Sequence, residues 1–163
     1  IPISAKKMQN ESYKVESGKI NGILKEEEKM GLNTKKPYQE FSGRVKKHRK
    51  NLINLLEKLK RNGEKVLGYG ASTKGNVLLQ YGGISRDLIP YIAEVNPEKY
   101  GCFTPGTRIP IISEKDAHEM KPDYFLVLPW HFKKGILEKE NKFRSSGGKF
   151  IFPLPKIEII WKK

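Results

Sequence analysis

The 163-residue chain is long enough for one ordinary domain with a real core, and its 32 Lys and Arg against 18 Asp and Glu leave a net charge of +14. The one cysteine, Cys102, excludes a disulfide framework and a cysteine-rich zinc site within the chain, and favours a reducing, cytoplasmic setting. No apolar run approaches the roughly 20 residues of a bilayer span, so no membrane partner is expected. The N-terminal IPISAKKMQN has no signal-peptide core and begins with Ile, which suggests a piece of a longer polypeptide.

Residues 1–19 are polar and weakly patterned, the character of a connecting segment. INGILKEEEKMGL (20–32) predicts a short helix ended by Gly31, and Pro37 suits the start of a long one running from about Tyr38 to Arg61 and stopping at Asn62-Gly63. Residues 20–62 thus read as a helical linker packing on the domain, which occupies 63–163. Phe41, Val45, Leu52, Leu55, Leu56 and Leu59 recur at helical spacing and predict a buried stripe. Residues 36–62 carry nine basic residues against two acidic ones, half of the whole excess. On an amphipathic helix these fall on the solvated side. That reading is preferred to a nucleic-acid-binding stripe, since no RNP-like or zinc-finger pattern accompanies the charge.

From residue 63 the pattern changes to strands alternating with helices. KVLGYG (65–70), LIPYIAEV (88–95), DYFLVLPW (123–130) and GKFIFPLP (148–155) read as strands, with IEIIW (157–161) as a final edge strand. Helices are expected from Thr73 to Tyr81, over SEKDAHEM (113–120) and over FKKGILEKENKFRSS (132–146). Short apolar strands alternating with helices argue for an α/β fold, a doubly wound and mainly parallel sheet covered on both faces. His118 reads as a surface residue and His48 as part of the basic helix. No two histidines have metal-ligand spacing, and no metal site is assigned.

In such a sheet ligands bind beyond the carboxyl ends of the strands. Three stretches fall at that rim: the turn Gly70-Ala71-Ser72-Thr73-Lys74-Gly75-Asn76, the stretch EVNPEK containing Asn96, and Pro129-Trp130-His131. The glycine-punctuated turn leads from a strand into a helix, whose first N–H groups and dipole favour an anion. Two sharper motifs fail on the letters. A GxGxxG fingerprint needs Gly where Thr73 stands, and a Walker A loop from Gly70 needs Lys and Ser or Thr where Asn76 and Val77 stand. An NAD(P)-binding oxidoreductase, with Glu94 on a ribose hydroxyl, stays open as an alternative. Asn96 either contacts ligand or simply turns the chain before Pro97. Trp130 and His131 either meet a flat or sugar-like ligand or pack beneath a loop.

GYGASTKGN (68–76), YIAEVNPEKYGCFTPGTRIPI (91–111), PDYFLVLPWHF (122–132) and GGKFIFPLP (147–155), in this order, resemble the C-terminal domain of the S-adenosylmethionine-dependent sugar C-methyltransferases. ILKEEEKMGL (23–32) and the helix through FSGRVKKHRKNLINLLEKLK (41–60) resemble the segment that precedes it, so the likeness covers roughly residues 20–160. The resemblance implies a Rossmann-like domain that helps hold a nucleotide-diphosphate sugar against the central methyl-donor domain of the same polypeptide. It also implies that zinc and S-adenosylmethionine belong to domains absent from this chain, that the substrate is a nucleotide-linked keto-sugar, and that the isolated chain is inactive. No catalytic residue is assigned here. The diphosphate is expected over the N–H groups of residues 71–75, with Ser72 and Thr73 donating, Lys74 adding charge and Gly70 and Gly75 allowing close approach. Asn76 would satisfy polar groups of the loop or the sugar.

Overall fold

The computed structural model describes residues 17–161, so the expected connecting segment lies almost wholly outside the described residues. The described residues fall into two units divided after Gly43. The first contains α1 (Ser17–Lys29) and the beginning of α2 (Lys36–Arg61). Gly31, at φ +68°, ends the run of α1 in a left-handed turn that glycine adopts without strain. The Thr34 hydroxyl donates to Gly31 O at 2.8 Å and the Tyr38 hydroxyl to Leu32 O at 2.9 Å, which fix the turn into α2.

From Arg44 onward α2 belongs to the second unit. Leu52, Leu56 and Leu59 are buried there, spaced four and three apart so that one face meets the core. The basic residues of the helix are exposed, as its pattern predicts. His48 is half-buried, and its Nε2 lies 2.5 Å from Pro153 O.

The second unit carries a mixed six-stranded sheet: β1 (Val66–Tyr69), β2 (Ile92–Glu94), β3 (Ile111–Ser113), β4 (Tyr124–Val127), β5 (Lys149–Phe152) and β6 (Glu158–Ile160). The order is β3-β2-β1-β4-β5-β6, parallel throughout except for the antiparallel edge strand β6. The expected α/β class is therefore present. Side chains alternate between two cores, as a pleated strand requires. On one face Val66, Leu126 and Ile151 meet α2 and α3 (Thr73–Gly82) through Leu52, Leu56 and Leu79. On the other, Leu67, Tyr69, Phe125 and Phe150 meet α4 (Glu114–Glu119), α5 (Lys133–Lys139) and α6 (Asn141–Ser145) through Ala117, Ile136 and Phe143.

Several expected elements are shorter than their apolar runs. The run 88–95 yields a strand only at 92–94, because Leu88 and Ile89 close a turn onto Ser85 O and Pro90 lacks an N–H for the ladder. Pro129 and Pro153 likewise follow the last paired residues of β4 and β5. Strand β3 was hidden because Ser113 is both its last residue and the N-cap of α4, its hydroxyl accepting from Asp116 N–H. The helix expected over 132–146 is broken at Glu140 into α5 and α6, after a 3-10 turn at Trp130–Phe132.

Glu140 is buried where that break turns it inward. Its Oε1 accepts from the Tyr69 hydroxyl at 2.9 Å and its Oε2 lies 3.0 Å from His118 Nε2. His118 is thus not the free surface residue that its polar helix suggested, since its ring also meets Phe125 and Phe143 edge-on. Burial, with the Glu114 and Glu140 carboxylates beside it, pushes the Tyr69 hydroxyl well above the usual tyrosine range.

Leu52→Ala should lower unfolding free energy by about 2–5 kcal/mol, the usual cost of a core cavity. Urea unfolding followed by circular dichroism reads this directly. A change within about 0.5 kcal/mol would show that the second part of α2 contributes nothing to the core.

Candidate functional site

The strand order steps from β1 to β2 and β3 on one side and to β4, β5 and β6 on the other, so the direction of winding reverses between β1 and β4. Open α/β sheets bind ligands outside the carboxyl ends of the strands at such a reversal, here β1 and β4. The turn after β1 and the Pro129–Phe132 segment after β4 meet there. Gly70 has φ +78° and a Cβ at that position would lie 2.7 Å from Pro129 Cγ, so only glycine fits the turn.

Ser72 is the N-cap of α3, and its Oγ accepts from Gly75 N–H at 3.0 Å. Ala71 N–H donates to Glu94 Oε2 at 2.8 Å. Of the five N–H groups expected to face an anion, those of Ala71 and Gly75 are therefore committed within the protein. Those of Ser72, Thr73 and Lys74 have no acceptor among the described residues. They form the positive end of a ten-residue helix. Thr73 and Lys74 are exposed, and the Lys74 ammonium pairs with no carboxylate among the described residues.

Gly75 has a packing role that its spacing did not show. It is buried, and a Cβ there would come 2.5 Å from Leu128 Cβ. Its missing side chain lets α3 lie against Leu128, just past the end of β4. Asn76 is half-buried beside it, with a buried Oδ1 that has no hydrogen-bond partner among the described residues.

Glu94, the last residue of β2, is 5% exposed. Its Oε1 accepts from Val95 N–H at 2.8 Å and Asn96 N–H at 3.0 Å, and Lys99 Nζ stands 3.2 Å from Oε2. Burial pushes its carboxyl up, but the bonds from Asn96, Lys99 and Val95 outweigh burial and hold it below the usual carboxylate value. Its two oxygens are engaged inward, which leaves no free acceptor for a dinucleotide ribose. Asn96 uses its side-chain oxygen on Glu98 N–H at 3.0 Å, capping the 3-10 turn Pro97–Lys99. Lys99 was not singled out from the sequence. The available signal was Asn96-Pro97, a turn that folds residue 99 back onto the end of the strand.

Trp130 is half-buried and packs against the core on the α4–α6 face, so its ring partly serves the loop. His131 is exposed, its ring 4.2 Å from that of Phe132, which is 63% exposed. The structure brings Gly70 against Pro129 and Gly75 against Leu128, so the two segments adjoin at these residues. A separate concavity of about 660 Å³, lined by Lys46, Arg49, Lys50, Tyr81 and Gly83 among others, lies at the far, C-terminal end of α3. Among the described residues no group of three His, Cys, Asp or Glu could hold a metal ion, and no helix is long and apolar enough to cross a membrane.

The family model described as the C-methyltransferase C-terminal domain matches residues 2–155. C-methyltransferase NovU from Streptomyces niveus is 36% identical over 138 residues, covering 85% of this chain and 33% of that protein. The chain thus spans about a third of the length of this curated relative.

Gly75→Ala should destabilise the protein by about 1–3 kcal/mol through overpacking against Leu128. A thermal melt of this variant beside the parent tests whether the close approach of α3 to β4 is what the glycine provides. An unchanged melting temperature would return Gly75 to a ligand-facing role.

Proposed function

The chain belongs to the C-methyltransferase C-terminal domain family, and from that premise we propose that it binds the diphosphate of a nucleotide-linked keto-sugar. The observation that carries this reading is the set of unpaired N–H groups of Ser72, Thr73 and Lys74 at the sheet's reversal point. A diphosphate is the ligand chemistry that such a helix start attracts, and the Lys74 ammonium adds charge beside it. Trp130 and His131 offer a ring and a hydrogen-bonding edge to the sugar from the other side of the crevice.

C-methylation requires removal of a proton next to a ketone and in-line approach of the resulting enolate to a methyl sulfonium. The residues of this chain bind and orient the substrate for that reaction. S-adenosylmethionine, which supplies the methyl group, and zinc are assigned to other domains of the polypeptide, and the central methyl-donor domain is the partner that completes the cleft. The setting is cytoplasmic, where nucleotide sugars are made. In this reading the basic face of α2 is a solvated surface.

Calorimetric titration of the folded chain with a thymidine-diphosphate sugar should give saturable binding. Absence of heat at millimolar ligand would count against a site held by this chain alone.

Lys74→Ala should weaken that binding by about 1.5–3 kcal/mol, roughly 10- to 150-fold, the loss of one charge-assisted contact. Its melting temperature should stay that of the parent, because the Lys74 side chain holds no ion pair among the described residues. Undiminished affinity in the folded variant would refute the assignment of Lys74 to the phosphate.

A further inference from the structure

Ala71 is gripped at both of its backbone groups. Its N–H donates to Glu94 Oε2 at 2.8 Å and its carbonyl accepts from Lys99 Nζ at 2.9 Å. The same ammonium stands 3.2 Å from Glu94 Oε2, so one ion pair closes around one residue of the turn. The other carboxylate oxygen takes the N–H groups of Val95 and Asn96, which ties the grip to the end of β2.

A carboxylate 5% exposed is costly unless its charge is paired and its oxygens are bonded. Here both conditions are met by Lys99 and by the N–H groups of Ala71, Val95 and Asn96, and of these Lys99 also bonds the Ala71 carbonyl. A trans peptide directs its carbonyl and its N–H to opposite sides. With the Ala71 carbonyl turned towards Lys99, the Ser72 N–H must point away from that ammonium, and like those of Thr73 and Lys74 it has no acceptor among the described residues. The clasp therefore sets the aim of the first open donor. Lys99 also neutralises a buried negative charge that would otherwise repel an incoming phosphate.

We infer that Glu94 and Lys99 are positioning residues for the anion-binding turn, fixing the peptide between Ala71 and Ser72 so that Ser72 N–H is preorganised for a diphosphate oxygen. This inference rests on the reading of the turn as a diphosphate site. Neither residue need touch the ligand. Preorganised donors bind an oxyanion without reorganisation at the moment of contact, which is why loosening the grip should weaken binding although every donor remains present.

The experiment compares Glu94→Gln, Lys99→Met and Lys99→Arg with the parent chain. Affinity for inorganic pyrophosphate and for thymidine diphosphate is measured by calorimetry, at a temperature where circular dichroism shows each protein folded. Glu94→Gln keeps the side-chain shape and carries the test alone should Lys99→Met not fold. Glu94→Gln and Lys99→Met are each expected to weaken the probes the parent binds by about 5- to 20-fold. The double variant should be no worse than the weaker single, since either change opens the same clasp. Lys99→Arg should stay within about threefold of the parent, because its charge and donors survive. Amide exchange at Ala71 and Ser72 should quicken in the weakened variants, while exchange in β4 is unchanged. If the parent binds and Glu94→Gln remains within about twofold, the positioning role is overturned and the diphosphate site stands. If the parent binds neither probe, the reading of the turn falls and takes the positioning role with it.

Discussion

The close approach of α3 to the ends of β1 and β4 is the constraint on which the site depends. Gly70 turns the chain at φ +78° where any Cβ would enter Pro129, and Gly75 brings the first turn of the helix against Leu128. Both contacts pin the start of α3 directly beyond the point where the sheet order reverses. Side chains at either position would push the helix start away from β4 and widen the crevice. The same two residues thus explain why this turn is glycine-punctuated without invoking a ligand. The ligand argument rests on what the packing leaves over, three N–H groups with no partner among the described residues.

That distinction explains why the glycine pattern alone was ambiguous. A dinucleotide fold uses a glycine at the place of Thr73 for close packing of the helix on the strand, and an acidic residue at the end of the second strand to bind the ribose. This chain has Thr73 at the first place. At the second it has Glu94, whose carboxylate is turned inward onto Ala71, Val95 and Asn96 and covered by Lys99. An acid that holds the turn is not available to a ribose hydroxyl. The shared topology is therefore put to a different use at the one residue that most resembles the dinucleotide-binding pattern.

Much of the fold was readable from periodicity because the central strands are buried on both faces. Val66–Tyr69 and Tyr124–Val127 are continuous apolar runs, and the stripe Leu52, Leu56, Leu59 is regular enough to predict its burial. What periodicity could not show are the places where long-range partners decide. Glu140 breaks an otherwise helical stretch to meet the Tyr69 hydroxyl, 71 residues earlier, and a break set by a buried hydrogen bond has no local signature. Strand β3 is only three residues long, below the length at which alternation carries information. Phe41 continues the apolar stripe of α2 but is 59% exposed, so the pattern marks a face without stating how far it is covered.

The site divides in the same way. The rim position of all three stretches follows from strand order alone, which chain order and crossover rules largely determine. The commitment of each N–H does not, because it depends on whether a side chain 3 or 23 residues away reaches it. Lys99 returns to Glu94 only because Asn96 caps a 3-10 turn with its own oxygen, leaving the lysine stem to fold back over the strand end. Asn96, read from the sequence as either a ligand contact or a simple turn, caps the 3-10 turn that precedes Lys99. In this loop the backbone that carries the open donors is held by a buried carboxylate and a half-exposed ammonium. The chemistry of the crevice is for that reason written in the hydrogen bonds of Ala71 more than in the glycines on either side.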